Sequence, residues 1–134
     1  MNISESFGFN VPPEMLFDSL TDPVAAERLL PDGATVERLD EQRLRVVVGT
    51  AEYEIHHDQK PLRVRWHPIA AATPHGVARL QRGPAGGTLI RVTVTAADDV
   101  ESPRRVYAFL DRLIRGLESF LLHPAPAVHA AETG

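Results

Sequence analysis

Between Ala34 and Ala96, apolar and polar residues alternate with a period of two, and short turn segments separate the alternating stretches. This pattern predicts antiparallel strands, because parallel strands need a long crossover between them. The predicted strands span 34–39, 42–49, 51–58, 62–67, 76–82 and 87–96. The segment 2–9 alternates in the same way and predicts a further strand at the start of the chain, so that the sheet has seven.

The strongest helical pattern follows the last predicted strand. We expect Ser102 to be the N-cap and Pro103 the first helical residue. A helix of about 20 residues then has an apolar stripe along one side. The stripe consists of Val106, Phe109, Leu110, Leu113, Ile114, Leu117, Phe120 and Leu121. A single sheet face is the only apolar partner large enough to cover it.

Two short helices are predicted between the first and second strands. The first spans Glu14–Leu20, and the second starts after the predicted N-cap Asp22. The element order predicts an α+β fold in which a curved, seven-stranded antiparallel sheet grips one long C-terminal helix. We expect one domain over residues 1–122, and the Pro- and Ala-rich tail 123–134 is expected to be disordered.

Loop lengths predict how the strands pair. A four-residue loop at 58–61 would place Tyr53 opposite Trp66 and His57 opposite Leu62. One face of this pair of strands is then apolar and aromatic, while the other carries opposite charges.

The loop at 83–87 predicts the pairing of the last two strands. It places Leu80 opposite Ile90, and the same register puts Arg79 opposite Arg91, which is a like-charge pair.

Composition excludes several classes of protein. The chain has no cysteine, which excludes disulfides, thiolate nucleophiles and Cys-ligated metal sites. Its net charge of −4 gives no general attraction to nucleic acid, and no apolar run approaches the length of a membrane span. The N-terminus lacks the pattern of a signal peptide, so we expect a cytoplasmic protein without a cofactor. The sequence leaves the oligomeric state open.

Three segments resemble the START-like, or SRPBCC, helix-grip superfamily. They are VPPEMLFDSLTDP at 11–23, LPDG at 30–33 and GGTLIRV at 86–92. The second of them is similar to the branch that is named after a small component of carbon monoxide dehydrogenase. The superfamily contains polyketide cyclases, birch-pollen-allergen relatives and lipid-transfer domains. The resemblance implies a cavity between the sheet and the long helix, with a lipid or polyketide-like molecule as the ligand.

The inward-facing residues of the predicted sheet and helix are the candidates for binding such a ligand. Small residues at Gly76 and Ala78 favour a gap under the helix. A ligand pocket is mostly apolar with a few placed polar groups. The predicted ligand-binding residues are Tyr53, Ile55, His57, Trp66, Leu80, Val92, Leu110, Leu113 and Leu117.

Two titratable residues fall on the predicted inner face. His57 could be a general base or a hydrogen-bond partner of the ligand, or it could lie half-exposed at the end of its strand. Glu5 could be buried with a raised pKa, or it could turn to solvent at an edge. His56 points away from His57, so the two cannot hold one metal ion from a regular strand, and no metal site is predicted.

Three functions fit these observations. The first is a module that binds a small hydrophobic or aromatic molecule, and it needs no catalytic residue, which suits a sequence without a recognisable catalytic motif. The second is a cyclase- or aromatase-type enzyme that uses His57 with Tyr53, or Glu5. The third is a protein-interaction module, as in relatives within the superfamily that activate heat-shock chaperone ATPases.

Overall fold

The strands and helices follow the order that the sequence predicts. The structure is a computed structural model that describes residues 1–30, 33–72, 74–83 and 86–122. The predicted tail 123–134 lies outside the described residues. The elements are β1 (Asn2–Phe9), α1 (Pro13–Thr21), α2 (Pro23–Leu29), β2 (Thr35–Asp40), β3 (Arg43–Val48), β4 (Ala51–Gln59), β5 (Leu62–Pro68), β6 (His75–Arg82), β7 (Thr88–Thr95) and α3 (Glu101–Leu122).

All seven strands form one antiparallel sheet in the order β1-β7-β6-β5-β4-β3-β2. Strands β2 to β7 follow one another as a meander, and β1 joins the free side of β7, the last strand. The predicted α+β class, with a curved sheet, a long C-terminal helix and two short helices after β1, is confirmed.

The register between β6 and β7 is the predicted one. Leu80 lies opposite Ile90, and Arg79 lies opposite Arg91 despite the like charges. The two arginines are on the exposed, outer face of the sheet. The apolar inner face therefore fixes this register, since a slip of one residue would turn every apolar side chain outwards.

The predicted register between β4 and β5 is wrong by two residues. Ile55, not Tyr53, lies opposite Trp66, and His57 lies opposite Val64. The strands extend further towards the turn than predicted, because Gln59 pairs with Leu62 and leaves a two-residue connection. A shift of two residues keeps each side chain on its predicted face.

The N-terminal end of α3 also differs from the prediction. The helix begins at Glu101, so Ser102 lies inside it and is not the N-cap. Asp99 caps the helix instead: its Oδ1 accepts a hydrogen bond of 2.6 Å from the Ser102 backbone N–H, and its Oδ2 accepts the Ser102 hydroxyl at 3.0 Å. These hydrogen bonds from Ser102 hold the pKa of Asp99 below its usual value. The predicted cap of α2 is confirmed, since Asp22 accepts from Ala25 N–H at 3.0 Å.

The inner face of the sheet carries the core. The larger of two apolar clusters joins β1, β5, β6 and β7 to all three helices. Leu16 and Phe17 of α1 are almost completely buried in this cluster, and Leu117 of α3 is 1% exposed. A smaller cluster joins α2 to β2 and β3 through Ala26 and Leu44, among others. The helices therefore cover one face of the sheet and leave its other face to solvent.

Candidate functional site

The inner face of the sheet is unevenly covered. On β6 and β7 the inward side chains are buried, as at Ala78 and Val92, which are 8% and 3% exposed. On β4 and β5, Tyr53, Ile55 and Trp66 are only partly buried, although they face the same side. A partly exposed apolar surface thus remains on the concave side of the sheet.

Cross-strand pairing brings these three side chains together. Trp66 lies directly opposite Ile55 on the neighbouring strand, and Tyr53 is two residues before Ile55 on the same face. Leu113, which the sequence places on the inward stripe of α3, is also partly buried and packs against the larger core cluster. These four of the nine predicted site residues are partly accessible.

Four other predicted site residues belong to the closed core. Leu80, Val92, Leu110 and Leu117 are between 1% and 5% exposed and lie in the larger apolar cluster. A ligand could reach them only by separating side chains that already pack together. They therefore form the floor behind the accessible surface.

His57 is the ninth predicted site residue, and it is more deeply buried than a strand-end position suggested. It is only 7% exposed, so the half-exposed alternative is wrong. The edge of one ring meets the face of the other where His57 contacts Phe17 of α1, with ring centroids 5.9 Å apart. Its Nε2 is buried without a hydrogen-bond partner in the part of the chain that the structure describes.

The surroundings of His57 favour a neutral imidazole. Burial lowers the pKa of His57, because a charged ring loses hydration there, and the positive charge of Arg38 lowers it further. The ring borders a pocket of about 310 Å³. The pocket is lined by Phe17, Asp18, Thr21, Asp22, Arg38, Glu41, His57 and Gln59. A neutral ring beside such a pocket can donate or accept a hydrogen bond.

Glu5 lies on the inner face opposite Val92 and is partly exposed. It is thus neither fully buried in the core nor turned to the outer face. The sequence places it correctly among the apolar residues of β1, and its partial exposure leaves it in contact with water.

A second group of polar side chains lies on the outer face of the sheet and was not predicted. Glu54, His56 and His67 come together there, beside a pocket of about 440 Å³ that His75 also lines. Reading His56 only against its neighbour His57 missed this group. The pairing of Glu54 with His67 would have revealed it, but that pairing depends on the two-residue turn.

In the described part of the chain, no helix is both long and apolar enough to cross a membrane. No protein-family model matches the sequence, and no curated protein matches it.

Solved structures match the fold over almost the whole chain. The Aha1 dimer from Colwellia psychrerythraea matches with a TM-score of 0.72 and 11% identity, covering 90% of this chain and 96% of that one. A protein from Thermus thermophilus matches with a TM-score of 0.70 and 17% identity, over 91% and 97% of the two chains. Ara h 8.0201 matches with a TM-score of 0.64 and 16% identity, over 91% and 97%.

Identities this low speak for shared architecture and not for shared activity. The matches agree with the strand order, the pair of short helices and the long C-terminal helix described above. The chain therefore has the START-like helix-grip fold that its sequence motifs resemble.

Proposed function

We propose that the protein binds a small hydrophobic or aromatic molecule between the concave face of its sheet and α3. The observation that carries this proposal is the partial exposure of Tyr53, Ile55 and Trp66 on a face whose other strands are closed. Covering apolar surface releases about 2.5 kcal/mol for each 100 Å² removed from water. A flat ligand can also stack on the two aromatic rings.

His57 supplies a polar group at one side of this apolar surface. Its buried Nε2 lacks a partner among the described residues, and leaving a buried polar atom unpaired costs about 1–3 kcal/mol. A ligand with a carbonyl or hydroxyl group can satisfy that atom through the adjoining pocket. The proposed ligand is therefore largely apolar and carries one or a few oxygen atoms, as lipids and polyketide-like molecules do.

The chain offers a clean optical test, because Trp66 is its only tryptophan. We expect 1-anilinonaphthalene-8-sulfonate to bind saturably to the natively folded protein and to quench the emission of Trp66. Replacing Tyr53 with Ala removes one aromatic face and is expected to weaken binding about tenfold, which corresponds to about 1.4 kcal/mol.

Tyr107 provides the matched control, since it is the only other tyrosine and is 49% exposed on α3. The Tyr107→Ala variant should bind the dye as the unmodified protein does. Equal weakening in both variants, or dye emission that never saturates, would show that the dye does not bind at the proposed surface.

The unpaired Nε2 of His57 favours one second candidate, an enzyme that moves a proton. A neutral imidazole in a pocket can accept a proton from a carbon next to a carbonyl group. Deuterium exchange into the methyl group of acetophenone, followed by NMR, tests this step. An enzyme would accelerate the exchange and lose that acceleration in His57→Gln, whereas a binding protein would not accelerate it.

A further inference from the structure

Three potential metal ligands meet on the outer face of the sheet, opposite the proposed ligand-binding surface. Glu54 and His56 are two residues apart on β4, so their side chains point to the same side. His67 on β5 lies directly opposite Glu54. Two adjacent strands thus hold all three residues, and neither a long loop nor a flexible terminus is involved.

The ligand atoms of the three side chains are close to one another. The two oxygens of Glu54 face different histidines: Oε2 is 3.5 Å from Nε2 of His56, and Oε1 is 3.9 Å from Nε2 of His67. All three residues offer a ligand atom within 4.8 Å of the others. Ligand atoms around a tetrahedral zinc ion lie about 3.3 Å apart. Small side-chain rotations would therefore bring the three atoms around one ion.

The two imidazole rings already have a suitable arrangement. Their centroids are 5.8 Å apart and their planes are inclined by 21°. Both rings are partly open to solvent, with side-chain exposures of 34% for His56 and 50% for His67. An ion could therefore enter directly from water.

Positive charge around the cluster is largely offset by other residues. Each flanking arginine has a carboxylate partner outside the cluster: Arg43 with Asp40 at 2.7 Å, Arg45 with Glu52 at 2.7 Å and Arg65 with Asp58 at 3.5 Å. Arg43 also donates a hydrogen bond of 3.1 Å to Oε2 of Glu54. That bond orients the carboxylate and leaves Oε1 facing His67, as partners behind a metal ligand commonly do.

We propose that Glu54, His56 and His67 bind a divalent transition-metal ion, with zinc as the best match. Two imidazoles and one carboxylate are typical ligands of zinc sites that keep a fourth position open. The pocket of about 440 Å³ beside the cluster, which His56 and His67 line, leaves room for water or a small anion there. The proposal is independent of the function proposed for the inner face.

Isothermal titration calorimetry of the untagged, full-length protein with Zn²⁺ tests the site, and visible absorption of Co²⁺ reports its geometry. We expect one ion per chain and a tetrahedral Co²⁺ spectrum. Glu54→Gln, His56→Asn and His67→Asn should each weaken Zn²⁺ binding at least tenfold, because each removes one of only three protein ligands.

Glu52→Gln is the matched control, since Glu52 lies on the same strand and the same face but outside the cluster. It should leave Zn²⁺ affinity within about twofold of that of the unmodified protein. The proposal fails if the unmodified protein binds no Zn²⁺. It also fails if Glu54→Gln binds Zn²⁺ as tightly as Glu52→Gln while both variants remain folded by circular dichroism.

Discussion

The indole ring of Trp66 lies over Gly76 on the neighbouring strand. A Cβ added at Gly76 would come within 2.8 Å of Cε2 of the indole and 2.9 Å of the Thr93 carbonyl oxygen. Real Cβ atoms do not approach other atoms this closely, so the absence of a side chain at Gly76 makes room for the ring. The small residue that the sequence connects with a gap under α3 instead determines where an aromatic side chain of the proposed ligand surface lies.

Gly76→Ala is therefore expected to displace Trp66. Overpacking of this kind costs about 1–3 kcal/mol, and the carbonyl of Thr93 limits how far the backbone can yield. Urea denaturation should show the loss of stability. The emission maximum of Trp66 should shift to longer wavelength, because the displaced ring becomes more exposed to water.

Gly8→Ala controls for the general effect of a methyl group in a strand. Gly8 lies in β1, and a Cβ there meets nothing within 4 Å. Its stability should stay within about 0.5 kcal/mol of the unmodified protein. Unchanged Trp66 emission in Gly76→Ala would mean that the indole does not rest on Gly76.

His57 is expected to make the protein less stable in mild acid. Its pKa is lowered in the folded protein, chiefly by burial, so the unfolded chain binds the proton more readily. This contribution is absent well above the ordinary pKa of 6.5 and destabilises the fold as pH falls below that value. Urea midpoints measured between about pH 8 and about pH 5.5 should therefore fall less in His57→Gln than in the unmodified protein.

The exposed His75 gives the comparison for this pH effect. His75→Gln should keep the pH dependence of the unmodified protein. If His57→Gln and His75→Gln lose stability equally towards low pH, the imidazole of His57 is not held neutral by burial.

The sequence predicts which face a strand residue occupies better than it predicts the residue opposite. The face depends on a local period of two, which survives an error of two residues in a turn. Asp58 and Gln59 have the composition of a turn, yet both pair with β5, so the partner of Tyr53 was predicted wrongly. The cluster of Glu54 with His67 was missed for the same reason.

Burial by distant elements was the other limit of sequence reasoning. His57 is enclosed partly by Phe17 of α1, which is forty residues earlier in the chain. No local pattern around His57 indicates that contact. The cap of α3 was predicted at Ser102 because Pro103 follows it, but Asp99 offers two acceptor oxygens and takes both donors of Ser102.

Two residues of the apolar stripe of α3 should differ strongly in their effect on stability. Leu117 is 1% exposed, whereas the larger Phe109 is 36% exposed. Leu117→Ala leaves a cavity in the core and should cost about 2–5 kcal/mol. Phe109→Ala should cost less than about 1 kcal/mol, as measured by urea denaturation. A greater loss in Phe109→Ala would mean that α3 presents a different face to the sheet.

The row of arginines on the outer face should be a site of easy stabilisation. Arg79 lies between Arg63 and Arg91 on the two neighbouring strands, so it has a like charge on either side. Arg79→Glu turns two unfavourable cross-strand pairs into favourable ones, each worth about 0.2–1 kcal/mol. We expect a higher urea midpoint, and the gain should shrink at high salt because these charges are screened by ions. Arg28→Glu, which makes the same change of charge on exposed α2, should bring no gain. An equal gain in both variants would assign the effect to net charge and not to the row.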